Sequence, residues 1–310
     1  MSASTPAESI GTRAGAARPR LVRRTLRFAW RFATSSPASA VGLLLVLLFV
    51  GLTVAGAVAY HGAAYNQNLI DRLEAPGTSG HVFGTDTLGR DVLARIMIAV
   101  RISLEIGAAS VALAGIFGVL IGMIAGYFGG WIDDVIMRIS DSVLAIPIVL
   151  LALSVLAVVG GGIRNLILVI AFTQWMTYAR MARAETLALR EQDYVRAARA
   201  IGARSGRILR RHVLPHLLPS ATALATLNVS VAILLEAGLS YLGLGIQPPD
   251  PSLGSMLTEG RQYIYRASWL AIYPGIALLL LVLAINLLGD GLSSFLDPRA
   301  QLRASEMKPL

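Results

Sequence analysis

Two histidines are the first residues whose spacing could support chemistry. His212 and His216 stand four residues apart, a spacing at which two imidazoles on one helical face can bind a metal ion. No carboxylate or third histidine lies close to them in the sequence, and Pro215 interrupts the turn between them. We interpret the pair as histidines at a membrane interface and expect this chain to bind no metal.

Other catalytic chemistry is also poorly supported. The chain has no cysteine, which excludes disulfides, thiolate nucleophiles and cysteine-ligated metals. Lys308 is the only lysine, so the phosphate-binding pattern G-x-x-x-x-G-K-[ST] is absent. The sequence shows no nucleophile with a base and an orienting group. We therefore expect a non-enzymatic chain without a cofactor, in which any ATP and Mg²⁺ would belong to partner subunits.

Several polar residues remain as candidates for a functional role. The segment "GTDTLGRD" (residues 84–91) holds Asp86, Arg90 and Asp91, which can pair locally in a turn-rich loop or contact substrate. Glu236 ends an apolar run, where an ionisable group has either a functional role or an arginine partner. Gln174 and Asn228 lie inside apolar runs and either line a cavity or bridge helices.

Long apolar runs place these residues in a membrane protein. The chain is 55% hydrophobic with a mean hydropathy of +0.66. A membrane-crossing helix needs about 20 apolar residues, and we predict six such spans, at approximately 41–60, 106–130, 142–162, 164–182, 216–236 and 268–289. Span 164–182 is short unless its terminal arginines reach the interfaces. Four glycines, Gly115, Gly118, Gly122 and Gly126, predict close helix packing in the second span.

The basic residues predict how these spans are oriented. The net charge is +9, and most of the arginines fall in the N-terminal tail (1–36), the loop 184–214 and the C-terminal tail (301–310). Positive charge flanking spans favours the cytoplasmic side, so we expect both termini in the cytoplasm and a disordered or amphipathic basic tail at 1–36. Because orientation accounts for the charge, we expect no nucleic-acid partner.

The loop 184–214 overlaps a basic stretch, Arg180 to Arg211, with nine arginines and three acidic residues. Residues 185–199 predict a helix, Gly202 interrupts it, and a second short helix would run to Pro215, which favours the first turn of the next span. Small residues around Gly202 would let another surface approach closely. On charge alone the loop could be an ordinary cytoplasmic connection.

The spacing within this loop adds a second interpretation. Arg196-Ala197-Ala198, Gly202 and the closing Leu214-Pro215 resemble the cytoplasmic "EAA" loop of bacterial ABC importer permeases. In that family the pattern is E-A-A, three intervening residues, a glycine, about ten further residues and a closing L-P. Arginine stands here where the family pattern has glutamate.

Three further stretches are similar to signatures of the dipeptide/oligopeptide (nickel) permeases, in the family's order. They are "FGTDTLGRD" (83–91), "EAGLSYLGLGIQPPDPSLG" (236–254) and "GDGLSSFLDPR" (289–299). The resemblance covers residues 37–300 approximately and implies the all-α, type I ABC importer permease architecture in the bacterial cell membrane. It also implies that the loop couples the spans to two cytosolic ATP-binding subunits.

The resemblance further implies a homologous permease partner in a heterodimer, an extracytoplasmic solute-binding protein, and alternating access driven by ATP. The implied substrates are di- or oligopeptides, although similar permeases move nickel chelates, glutathione or oligosaccharides. An ATP-independent secondary transporter is the alternative from another class, but the predicted spans lack central charged residues for ion coupling. A structural membrane anchor would not explain long loops on both faces.

Overall fold

The computed structural model describes residues 37–78 and 80–296, and these residues are almost entirely helical. The N-terminal tail, the C-terminal tail and the last part of "GDGLSSFLDPR" lie outside the described residues. Eleven α-helices occur in the described ranges: α1 (Pro37–Ala59), α2 (His61–Tyr65), α3 (Val92–Phe128), α4 (Gly130–Leu144), α5 (Ile148–Val159), α6 (Ile163–Arg190), α7 (Asp193–Ala200), α8 (Ser205–Ile208), α9 (Leu214–Tyr241), α10 (Leu253–Gln262) and α11 (Trp269–Leu296). A π-helical turn, Leu209–Val213, joins α8 to α9.

Four helical segments are long and apolar enough to cross a membrane: Pro37–Gly56, Val92–Phe128, Ser205–Tyr241 and Trp269–Ser293. A fifth span results if the bent pair α4–α5 crosses as one unit. The expected all-helical membrane fold is confirmed.

The predicted span 164–182 falls within α6 and is not among these candidates. α6 has 28 residues, which is long enough to cross. Its composition differs from that of the other spans because Arg164, Gln174 and Arg180 lower its hydropathy. Much of its surface is buried against α3 inside the protein. By length and composition, the described residues contain four or five candidate spans, fewer than the six we predicted.

The predicted third span, 142–162, is not one helix. α4 ends at Leu144, α5 begins at Ile148, and the two helices meet at 89°. Pro147 accounts for the break, because proline has no backbone N–H and disfavours helical conformation in the residue before it. α4 is tied to α6 by Arg183, whose Nη2 donates to Asp133 Oδ2 at 2.6 Å.

The glycine face predicted on the second span forms a close helix contact. α3 packs along α6, and a Cβ built at Gly118 would lie 2.3 Å from the Trp175 carbonyl oxygen. At Gly122 the corresponding distance to the Ala179 carbonyl oxygen is 2.1 Å. Both distances are far below van der Waals contact, so only glycine allows these two backbones to approach as they do.

A second packed layer closes the other side of α3. α1 and α11 pack together, with Phe49 and Ile285 buried, and α10 packs on α11. Above this layer, the loop before α3 is joined to α11 by stacking of Phe83 on Tyr273, with ring centroids 4.3 Å apart. The indole Nε1 of Trp269 also donates to the Thr85 carbonyl at 3.3 Å. These contacts make the loop 66–91 part of the packed fold.

Candidate functional site

The loop 184–214 forms a compact helical projection, which we call the knob and define as α7 and α8 with their connection. Its first helix does not run from 185 to 199 as predicted. α6 continues to Arg190, Gln192 is extended, and α7 begins at Asp193. Arg190 in the last turn of α6 and Asp193 in the first turn of α7 each have the charge that favours its helix end.

Gly202 ends α7 with a hydrogen-bond pattern that requires a left-handed residue. Its φ is +83°, its N–H donates to the Arg199 carbonyl at 3.0 Å, and the Ala203 N–H donates to the Ala198 carbonyl at 3.0 Å. This pair of bonds is the Schellman motif, in which glycine at the left-handed position carries no steric penalty. The predicted turn at Gly202 is therefore present.

The knob is attached to the spans by buried apolar side chains. Val195 of α7 and Ile208 of α8 are both fully buried and belong to the same core cluster as Val213 and Leu217. Tyr194 also stacks near His216, with ring centroids 6.1 Å apart. α7 therefore has a firm connection to the beginning of α9, where Leu214 and Pro215 open the helix.

The outer side of the knob is exposed and has small residues. Arg196, Ala197 and Gly202 are exposed, Ala198 is half-buried, and Ile201 beside the turn is 85% exposed. A large aliphatic side chain at the tip of a turn, flanked by alanine and glycine, is available to enter a cavity on another protein.

Arg196 forms an ion pair with Glu191, a residue that no sequence motif had indicated. Its Nη2 donates to Glu191 Oε2 at 2.7 Å, and both side chains are exposed. The hydrogen bond from Arg196 lowers the pKa of Glu191, with Arg190 contributing in the same direction. The acidic charge near the family's glutamate position is thus supplied by Glu191, five residues earlier in the chain.

Asp86 is the centre of a buried ion-pair network in the loop 66–91. Its Oδ2 accepts from Arg90 Nε at 2.7 Å and from Arg95 Nη1, while Arg95 Nη1 also donates to Glu259 Oε2 at 3.0 Å. Its Oδ1 accepts the backbone N–H groups of Leu88 and Arg90. The predicted pairing of Asp86 with Arg90 is present. Arg95 and Glu259 were missed, since a contact 164 residues apart leaves no local pattern.

Among the described residues, Asp91 pairs with His81 and not with Arg90, the local partner that the sequence suggested. Its Oδ1 accepts the Ala94 N–H at 2.8 Å and so caps the first turn of α3. Its Oδ2 lies 2.7 Å from His81 Nδ1. Gly89 allows the loop to close, because a Cβ there would lie 1.7 Å from the Asn68 carbonyl oxygen and its φ is +72°. Asp86, Arg90 and Asp91 are all buried within the loop's own structure.

Glu236 has no arginine partner among the described residues, which was one of the two alternatives for it. It is fully buried, its Oε2 accepts from Ser103 of α3 and its Oε1 accepts from Ser240 of α9, both at 2.8 Å. Ser240 Oγ also accepts the Ile246 N–H at 3.2 Å. The carboxylate therefore joins α3, α9 and the loop that follows α9 through serine hydroxyls.

Gln174 and Asn228 are not joined to each other by a hydrogen bond in the described part of the chain. Gln174 is 4% exposed, and neither polar atom of its side chain has a protein partner there. Asn228 is half-buried on α9. The same ranges contain no group of three His, Cys, Asp or Glu residues that could hold a metal. His216 Nδ1 lies 2.7 Å from the His212 carbonyl oxygen.

Several apolar spans, a helical knob between two of them and a packed loop network together define a multi-pass membrane permease subunit. The comparisons with known proteins agree. The chain belongs to the family described as the binding-protein-dependent transport system inner membrane component, whose model matches residues 118–302. It is accordingly a permease of an ABC transport system and a multi-pass protein of the bacterial cell membrane.

Curated relatives cover most of the chain. A dipeptide transport system permease protein from Alkalihalophilus pseudofirmus is 40% identical over 84% of this chain and 85% of its own length. A glutathione transport system permease protein from Pectobacterium atrosepticum is also 40% identical, over 91% of this chain and 94% of its own length. A solved structure of the inward-facing MetNI methionine ABC transporter matches 63% of this chain and 94% of its own, with 23% identity and a TM-score of 0.46.

Proposed function

We propose that this chain couples cytosolic ATP hydrolysis to solute import through its knob. The chain supplies one half of a translocation pathway, and a homologous permease supplies the other half in a heterodimer of the type I architecture. Two cytosolic ATP-binding subunits provide ATP and Mg²⁺ chemistry, and an extracytoplasmic solute-binding protein delivers the solute. Both termini and the knob face the cytoplasm, which is supported by the concentration of arginines on that side.

The observation that carries this proposal is the construction of the knob. Arg196, Ala197, Ala198 and Gly202 present a small-residue surface with Ile201 exposed at its tip. Beneath it, Val195 and Ile208 are fully buried against the beginning of α9. A surface that is open to a partner and rigidly attached to a span can transmit a partner's movement to that span.

The proposed substrates are di- or oligopeptides, supported by the dipeptide permease among the relatives. Glutathione is the second candidate, supported by relatives with equal identity and greater coverage of this chain. Nickel chelates and oligosaccharides remain alternatives from the resemblance of the signatures. The candidate pathway residues within the spans are Asn228 and Gln174, whose buried side chain has no hydrogen-bond partner among the residues that the structure describes.

Purification from native membranes in mild detergent tests the assembly. We expect a tagged form of this chain to recover two ATP-binding subunits and a second permease, identified by mass spectrometry. Transport of radiolabelled dipeptide and glutathione by the reconstituted assembly, with its binding protein, then assigns the substrate. Recovery of this chain alone in a transport-competent form would contradict the proposal and favour an ATP-independent transporter.

Replacement of Gly202 by alanine tests the knob. Because φ is +83°, a Cβ costs about 1–2 kcal/mol in this conformation, and the turn that presents Ile201 should shift. We expect G202A to insert and fold normally but to recover ATP-binding subunits about tenfold less well, which corresponds to a cost within that range. The measurement is the ratio of ATPase to permease in the purified assembly.

Gly77 provides the matched control for this substitution. It lies in the loop 66–91, outside the knob, its φ is also +83°, and a Cβ there would also meet nothing within 4 Å. G77A therefore carries the same backbone strain but should recover the ATP-binding subunits as the wild type does. Equal recovery by G202A and G77A would contradict a coupling role for the turn.

A further inference from the structure

Three arginines at the base of the knob surround a concave space. Arg207, Arg210 and Arg211, with Gly206, line a cavity of about 510 Å³, and all three side chains are exposed. We call this space the arginine cleft. The three residues lie on α8 and the π-helical turn, immediately before α9 begins at Leu214.

The charges of the arginine cleft are not neutralised within the described ranges, where none of its guanidinium groups forms an ion pair. Some other arginines near the knob are paired over the same residues: Arg180 with Asp141, Arg183 with Asp133 and Arg196 with Glu191. Arg199 and Arg204 also form no ion pair there, but they do not line the cleft. Three adjacent positive charges without a carboxylate produce a strongly positive local potential. This potential favours the binding of an anion.

The backbone beneath the arginine cleft is fixed. Ile208 and Val213 are fully buried and Leu209 is 8% exposed, so the residues between the arginines are anchored in the core. The π-helical turn also brings Arg210 and Arg211 together with Arg207 on one side of the helix. The three guanidinium groups are therefore carried by a backbone segment that the buried core holds in place.

We propose that the arginine cleft binds the phosphate head group of an anionic phospholipid in the cytoplasmic leaflet. Guanidinium groups donate paired hydrogen bonds to phosphate oxygens, and basic pockets at the cytoplasmic ends of membrane helices are suited to lipid head groups. The cleft lies in the first turns of the candidate segment Ser205–Tyr241, immediately before its run 212–235 without Arg, Lys, Asp or Glu. Lipid phosphates lie at the ends of such apolar runs. This inference rests on the proposed cytoplasmic position of the knob.

The occupant would hold the base of the knob against the membrane surface. Inorganic phosphate offers the same chemistry from solution, and an acidic surface of an ATP-binding subunit offers carboxylates instead. Adjacency to an apolar span favours the lipid over both. The experiment must therefore separate these three sources of negative charge.

The test uses the assembled importer, reconstituted in nanodiscs of phosphatidylcholine containing phosphatidylglycerol. We compare the wild type with the double variant R207Q/R210Q by native mass spectrometry, counting retained phosphatidylglycerol. Removal of two guanidinium groups near a membrane surface should lower retention about thirtyfold. The double variant R138Q/R204Q is the control, because it removes two exposed arginines that do not line the cleft.

The three sources of negative charge predict different outcomes. Loss of phosphatidylglycerol only in R207Q/R210Q, with the ATP-binding subunits still recovered, supports the proposal. Equal retention in both double variants overturns it, and if titrated inorganic phosphate then binds only the wild type, the cleft belongs to a soluble anion. Loss of the ATP-binding subunits from R207Q/R210Q in pure phosphatidylcholine assigns the cleft to a protein partner and also overturns it. Absence of ATP-binding subunits from the wild type contradicts the proposed function instead, and the lipid counts still decide this inference.

Discussion

Replacement of Asp86 by alanine should prevent stable folding of the loop 66–91 against α3. Asp86 is 1% exposed and faces Arg90 and Arg95, which are 7% and 3% exposed. Removing the carboxylate leaves two buried guanidinium groups whose remaining acid, Glu259, is partly exposed. Loss of one partner from a buried ion pair costs about 3–5 kcal/mol. We expect a large fall in the recovery of monodisperse protein and in the thermal unfolding temperature.

A graded set of substitutions identifies the cause. D86N keeps an oxygen that can accept the Leu88 and Arg90 N–H groups but removes the charge, so its effect should be intermediate. E105Q is the control, because the Arg101–Glu105 pair is about half exposed on both sides and surface pairs contribute little. If D86A is recovered and unfolds as E105Q does, the network does not stabilise the loop.

Enlargement of Gly122 should separate α3 from α6. A Cβ at this position would lie 2.1 Å from the Ala179 carbonyl oxygen and 2.7 Å from the Ala179 Cα, and backbone atoms cannot rotate away. Overpacking of a tight interior costs about 1–3 kcal/mol and occasionally more. We expect G122A to lower the thermal unfolding temperature of the detergent-purified chain, and G122L to abolish recovery of folded protein in size-exclusion chromatography.

Gly115 on the same helix is the matched control for this result. A Cβ there would lie 3.6 Å from Tyr178 Cε1, which is an ordinary contact. G115A should therefore unfold at nearly the wild-type temperature. Because alanine favours helix more than glycine does, propensity alone would raise the unfolding temperature of both variants. A similar fall for G115A and G122A would therefore contradict the close approach of α3 to α6 at Gly122 as the cause.

The features that could be predicted from the sequence depend on local patterns. Apolar runs predicted the helical membrane fold, glycines at short intervals predicted the face between α3 and α6, and Gly202 predicted the end of α7. The bend between α4 and α5 also had a local signal in Pro147, but an uninterrupted apolar composition led us to treat 142–162 as one span.

The features that could not be predicted depend on distant residues. α3 begins at Val92, 14 residues before the predicted span, because charged positions such as Arg95 are neutralised by Asp86 and Glu259. Glu236 is satisfied by two serines, one of which, Ser103, lies 133 residues away. The pairing of Arg196 with Glu191 was also not predicted, although the two residues are close in the chain. The motif gives the position of Arg196 but does not indicate which residue pairs with it.

The continuous helical segment Ser205–Tyr241 also has a mechanical consequence. Its 37 residues correspond to about 55 Å at 1.5 Å per residue, with the arginine cleft near one end and Glu236 near the other. A rod of this length behaves as a lever: a tilt of about 10° around its midpoint displaces each end by about 5 Å in opposite directions. If the knob end of this helix is displaced, the other end therefore moves by a similar distance in the opposite direction at the opposite membrane face.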